Sequence, residues 1–340
     1  LGRNALVMRL RVLRSAWGMR LHDGVRALEP ARVLDGVVGS GFDGLEASLD
    51  DLGARADPAR GAAWMRAASE RELTLVLSAY SSWRDYGSGA GSYDSDKPTE
   101  AHMEQLLADL RTIADLHHGT ALSPLAAVNA HTGSDSWSDA QGARFFETLG
   151  EQTRELGLPC LAHETHRGRF LASPFVAARL LAAVPSVRLT SDFSHWVLAA
   201  ERLLDSPAEA ELLRRRIARA CDHIHARLGT PQSAQLSDVD APSGARAAER
   251  FYSWWEQIWT EKEAAALSSR DSCVTATVEY GPPETDASGE SVGYAPSSAA
   301  GGAAAGAWLD AAVTRAAARL RERFERWHRQ AVWRRLEGGE

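Results

Sequence analysis

Glu46, His131, Glu164, Asp192, His195, His225, Arg227 and Glu279 each stand at or just past the end of a short apolar run in a chain of 340 residues. Carboxylates and imidazoles are the side chains that hold divalent ions and move protons. Along an extended chain, successive side chains point to opposite faces. In the run 274–279, Val274, Ala276 and Val278 therefore share one face, and Thr275, Thr277 and Glu279 the other. In 223–227, Ile224 and Ala226 separate in the same way from His223, His225 and Arg227. A single carboxylate at such a place is ordinarily a helix cap or an ion-pair partner. Glu164, Asp192, His225 and Glu279 on four consecutive strands are a different matter, because three converging carboxylates cannot all stay ionised without a counter-charge. A divalent cation resolves the conflict. Three oxygen donors and one imidazole suit Mn²⁺, Mg²⁺ or Co²⁺ with positions left for substrate, and Zn²⁺ is an alternative.

These residues need a scaffold that brings strand ends together. Apolar runs of strand length cover 12–17, 44–47, 73–79, 125–130, 159–164, 187–192, 223–227 and 274–279. Helical periodicity lies between and after them, at 58–70, 100–116, 139–156, 174–183, 208–220, 245–266 and 308–333, with a weaker stretch near Val33. Asp57 before Pro58 reads as an N-cap followed by proline at the first helical position. Strands that alternate with helices throughout predict an α/β fold, a single-domain (β/α)8 TIM barrel with its core over about residues 9–335. Such a barrel collects its chemistry at the carboxyl ends of its strands. Two stretches of linker composition, 86–97 and 287–306, follow strands three and eight and belong on that rim.

Composition narrows the partners. Lys+Arg 38 against Asp+Glu 45 leaves a net charge of −7, which argues against an electrostatic grip on nucleic acid or anionic lipid and favours a small-molecule partner. No apolar run approaches the roughly 18 residues of a membrane span. Cys160, Cys221 and Cys273 are far apart, without zinc-type spacing, and read as three buried thiols in a reducing, cytoplasmic setting. The first acid, Asp23, follows Arg3, Arg9, Arg11, Arg14 and Arg20, so an organelle matrix reached after removal of a leader is the alternative. No G-x-G-x-x-G follows the first strand and no phosphate-cradling P-loop is present.

The segments GFDGLEAS (41–48), NAHTGSDSW (129–137), HETHRGRFLASPF (163–175), LTSDFSHW (189–196), HIHARLG (223–229) and VEYGPP (278–283) resemble the xylose-isomerase-like TIM-barrel superfamily in their order and placement. The resemblance implies metal ligation by Glu164, Asp192, His225 and Glu279, with His223 a competing ligand on strand seven. His195 resembles the substrate-contacting histidine of the epimerases' D-x-x-H. Arg227 stands as a substrate contact or as a partner of Glu164 or Glu279. His131 joins the substrate side.

Trp17, Trp83, Trp137 and Trp196 lie near strand ends, where an aromatic face packs against the C–H face of a sugar. Trp254, Trp255 and Trp259 recur at helical spacing and read as core, as do Phe175 and Phe193. His166 and Arg167 read as a cap for the following helix or as substrate contacts.

The function implied is a divalent-metal-dependent isomerase or epimerase acting on a sugar or related small hydroxy-carbonyl or polyol substrate through an enediolate, with Glu164 and Glu279 as acid/base groups. The alternatives are an endonuclease-IV-like phosphodiesterase and a non-catalytic sugar-binding barrel. The phosphodiesterase reading lacks that group's histidine at the end of strand three, where Ser78, Ala79 and Tyr80 stand, and its later D-x-H, which reads Asp238, Val239, Asp240. The superfamily often forms dimers or tetramers, which leaves a homo-oligomer open.

Overall fold

Eight parallel strands close into a barrel in chain order: β1 (Arg9–Ser15), β2 (Gly44–Ser48), β3 (Thr74–Tyr80), β4 (Leu125–His131), β5 (Leu161–Glu164), β6 (Arg188–Ser191), β7 (Cys221–His225) and β8 (Cys273–Val278). β8 pairs with β1 over six residues, which leaves no open edge. This computed structural model describes residues 8–21, 27–82, 97–266, 273–283 and 302–337.

The helices between the strands are α1 (Pro30–Gly39), α2 (Pro58–Glu70), α3 (Thr99–His118), α4 (Asp139–Thr153) and α5 (Pro174–Ala183). After β6 come α6 (Phe193–Ala200) and α7 (Pro207–Leu212), then a π-helical segment, Leu213–Ile217, and α8 (Ala218–Ala220). α9 (Ala245–Ala266) precedes β8, and α10 (Gly302–Glu337) ends the described chain.

Local chemistry explains several of these starts. Asp57 accepts from the Ala59 amide ahead of α2, as its place before Pro58 predicts. Ser138 and Gln141 form a reciprocal capping box on α4. α5 is capped by Ser173, whose hydroxyl accepts from the Phe175 amide, so His166 and Arg167 are not its caps.

Two layers of packing hold the barrel. The large one lies between sheet and helices and takes in Trp64, Trp254, Trp255 and Trp259, all nearly fully buried. The small one is inside the barrel, where Leu13, Val76 and Ala127 pack with half-buried Cys160 and form an apolar floor under the polar strand ends. Of the three thiols, only Cys221 is buried; Cys160 is half-buried and Cys273 exposed, and all three are free. Phe193 is core, but Phe175 is 43% exposed because it occupies the first turn of α5 on its outer side.

Element ends differ from the sequence reading by small shifts that matter at the rim. β7 stops at His225, which puts Arg227 beyond the sheet, and β6 stops before Asp192. α10 begins at Gly302, inside the stretch read as a loop to 306, and Lys97 at the other stretch bonds to Gln105 of α3. Residues 86–96 and 287–301, and Trp83, lie outside the described residues. Among the described residues, no helix is long and apolar enough to cross a membrane.

Candidate metal centre

Glu164 ends β5, and Asp192 follows β6 as the N-cap of α6, its side chain accepting from the Ser194 amide. His225 ends β7, and Glu279 follows β8 by one residue. Each of the four offers an atom, and these atoms all lie within 4.8 Å of one another. Parity delivers them: Glu164, His225 and Glu279 each fall on the inward face of their strand. Asp192 is aimed by its capping bonds instead, with Ser194 donating to Oδ1 from both its amide and its hydroxyl.

The four side chains crowd together: His225 Nδ1 stands 3.0 Å from Glu279 Oε2 and 3.7 Å from Glu164 Oε2, and Glu164 Oε1 has no hydrogen-bond partner among the described residues. Buried polar atoms left in this state cost free energy unless something else satisfies them. The charges agree. Of the three carboxylates, two face one guanidinium, that of Arg227, which pairs with Asp192 and has Glu279 3.5 Å away. With a neutral His225, a dication added to Arg227 would bring this group of charges to zero. The donor set therefore fits a divalent ion.

In the absence of an ion, burial pushes the Asp192 carboxyl up to about 6, with Glu279 and Glu164 adding to the rise and Arg227 opposing it. Burial also acts against the Glu279 charge, but Arg227 and His225 outweigh it and hold that carboxyl at about 2. Burial disfavours the His225 cation, yet Glu46, Glu279 and Glu164 outweigh it and raise the imidazole well above its ordinary range. The surroundings of His225 thus favour positive charge at that place.

A layer below, Glu46 supplies what the sequence reading placed at a strand end without a role. Its two oxygens lie 3.0 and 3.1 Å from His225 Nε2, and Oε2 lies 3.1 Å from His223 Nε2. Asn129 donates to Glu46 at 3.1 Å and to Glu164 at 2.8 Å. A carboxylate that accepts a hydrogen bond from the Nε2–H of His225 leaves Nδ1 to face Glu164 and Glu279. His223, the competing ligand, is engaged at both nitrogens, by Thr275 on one and by Glu46 and Thr277 on the other, and lies outside the four-residue group.

Glu46→Gln puts an amide where donors from His223, His225 and Asn129 converge. It is expected to weaken Mn²⁺ binding by about 10–100-fold, read by calorimetric titration of metal-free protein. Unchanged affinity would remove Glu46 from this role.

The remaining residues form a wall around the four. His131 Nε2 lies 2.9 Å from Glu164 Oε2. His195 stands between two guanidinium groups, with Arg227 2.7 Å from Nε2 and Arg167 3.1 Å from Nδ1. Burial first, then His166 and Arg227, press its pKa well below the usual histidine range, so it is neutral. Arg227 donates to Ser194 as well as Asp192, so its partner is Asp192 more than Glu164 or Glu279.

The tryptophans separate. Trp196 is fully buried with its indole N–H on the Leu171 carbonyl, so it packs as core rather than as a sugar platform. Trp137 is pressed against Phe145, Phe170 and His102. Trp17 stays at the rim, its ring centroid 6.0 Å from the Arg227 guanidinium carbon.

The (β/α)8 architecture is similar to that of solved xylose isomerase-like TIM barrels. It superposes on D-psicose 3-epimerase, solved in the presence of D-fructose, with a TM-score of 0.51 at 14% identity, over 91% of this chain and 97% of that one. A xylose isomerase domain protein from Alicyclobacillus acidocaldarius subsp. acidocaldarius gives 0.51 at 16% identity, over 94% and 99%. A xylose isomerase-like TIM barrel protein from Mycobacterium smegmatis, in complex with magnesium, gives 0.52 at 12% identity, over 91% and 97%. At these identities the likeness is one of fold. No protein-family profile matches the sequence, and no curated protein does.

Proposed function

We propose that this chain, which has the fold of xylose isomerase-like TIM barrels, is a divalent-metal-dependent isomerase or epimerase acting on a sugar or a related small hydroxy-carbonyl or polyol compound. The observation that carries the reading is the convergence of Glu164, Asp192, His225 and Glu279 with a buried Glu164 oxygen left unsatisfied. The epimerase and the magnesium-bound protein among its structural neighbours support it.

A bound ion would supply positive charge to adjacent substrate oxygens and so acidify the C–H between them. The rest falls to the chain's own residues. Asp192 and His225 hold their places through Ser194, Arg227 and Glu46. Glu164 and Glu279 come from strands that are not neighbours in the barrel, so they reach the substrate from different sides. One can remove a proton from one face while the other returns a proton to the opposite face. His195, neutral and held between Arg227 and Arg167, lines the site beside Glu164 and Asp192 as a substrate contact. Among the described tryptophan candidates, Trp17 offers an aromatic face at the rim.

The test is a screen of sugars and inositol derivatives in D₂O with Mn²⁺, Mg²⁺ or Co²⁺ present, read by mass and NMR. Solvent deuterium is expected at a carbon next to a carbonyl in the turned-over compound. Product without deuterium would replace the two-glutamate mechanism by an internal hydride shift.

A further inference from the structure

At the end of the barrel opposite the candidate metal centre, the strands begin around a cavity of about 930 Å³. Thr74 opens β3, Leu161 opens β5, Arg188 opens β6 and Cys273 opens β8, and all four line it. We propose that this cavity binds a small phosphorylated compound, held through its dianionic phosphoryl group. The inference does not rest on the metal-centre reading, because the apolar layer of Leu13, Val76 and Ala127 lies between the two ends.

Parity and two bulges build the lining. Arg11 shares the inward face of β1 with Leu13, two residues on. Between β6 and β7, Leu189 faces Cys221 and Thr190 faces His223, so Asp222 is an extra residue in the ladder. Between β3 and β4, Leu75 faces Leu125 and Val76 faces Ala127, which makes Ala126 extra in the same way. Bulges at a barrel rim re-aim side chains. Both of these bulged residues line the cavity.

The charges give the class of ligand. Asp222 accepts from Arg188 Nε at 2.6 Å and from its Nη2 at 2.8 Å, and it also meets the Lys262 ammonium of α9. One carboxylate thus serves two cations, with all three side chains half-buried. Arg11 adds another cation. Its Nη1 donates to the Thr74 hydroxyl at 2.5 Å, and it makes no ion pair among the described residues. Three cations, Arg11, Arg188 and Lys262, against the single carboxylate of Asp222 leave this lining with two positive charges in excess, in a chain whose net charge is −7. A bound dianion balances them, and a neutral sugar does not.

The donors suit phosphate in particular. The guanidinium of Arg11 is a planar fork matched to phosphate oxygens, and Lys262 supplies a point charge beside it. Small-molecule pockets run from about 300 to 1,000 Å³, so the cavity also has room for an organic body beside the phosphoryl group.

The experiment is calorimetric titration of the metal-free full chain with inorganic phosphate and, separately, with glycerol phosphate. Wild type is expected to bind one phosphate per chain. Arg11→Met and Lys262→Met, each checked for native circular dichroism, are expected to weaken it about 10-fold or more, as for a lost hydrogen bond to a charged group. Tighter binding of glycerol phosphate than of phosphate makes the ligand an ester, and equal or weaker binding makes it free phosphate. If neither variant folds, alkylation of Cys160 by iodoacetamide in wild type decides, because Cys160 lines the cavity and Cys221, fully buried, serves as the internal reference. Phosphate is expected to slow alkylation at Cys160. No binding of either compound at millimolar concentration overturns the proposal. Binding unchanged in both variants, or Cys160 unprotected where that measurement decides, also overturns it, because the anion then sits elsewhere.

Discussion

Replacing Glu164 or Glu279 by glutamine will slow turnover by about 10²-fold or more, even at ion concentrations that saturate the variant. Both carboxylates belong to the four-residue group, so each substitution weakens the site and also removes a proton carrier. Saturating ion repairs the first defect and cannot repair the second. Asp192→Asn is the control, since Asp192 accepts from Ser194 and Arg227 and is assigned no proton transfer. Its activity is expected to recover substantially as Mn²⁺ is raised, while that of the two glutamine variants stays low. Equal recovery in all three would mean that the glutamates only hold the ion.

Arg227→Met will destabilise the metal-free protein by about 3–5 kcal/mol, the range seen when one partner of a buried ion pair is removed. Arg227 is 1% exposed, and its guanidinium is the cation that Asp192 and Glu279 share. Methionine fills much of the stem's volume, so the loss is electrostatic more than steric. Mn²⁺ supplies positive charge to the same carboxylates and is expected to close part of the gap. Urea denaturation with and without ion measures both effects. A deficit under about 1 kcal/mol without ion, the scale of an exposed pair, would show that the Asp192 pairing is not what balances this cluster.

Much of this was legible in the chain because a closed barrel obeys a period of two. The alternation in 274–279 and 223–227 puts Thr275, Thr277, His223 and His225 inside, and the structure has His223 in contact with the other three, beneath the ligand group to which His225 belongs. The same rule had the means to find Asn129, two residues before His131 on one face, and to give Glu46 its role. What it lacked was depth. Alternation says which face a side chain takes but not which layer it reaches, and Glu46 acts one layer below Glu164.

Other misses have different causes. Asp192 lies past the end of β6, where a capping bond rather than strand parity aims it. Trp137 and Trp196 sit near strand ends in sequence, but what covers an aromatic face comes from distant elements: Phe145 and Phe170 for Trp137, and for Trp196 the core around Phe193. The His166 side chain was ambiguous because a histidine ahead of a helix and a histidine beside a glutamate read alike until Ser173 is seen to be the cap.

The most direct measurement is calorimetric titration of metal-free protein with Mn²⁺, in wild type and in Glu164→Gln, Asp192→Asn and Glu279→Gln. The account predicts a tight Mn²⁺ site in wild type and affinity lower by about 10²-fold or more in each variant, because each removes a ligand and upsets the charge balance of the group. Mn²⁺ affinity unchanged in all three would contradict the metal centre itself.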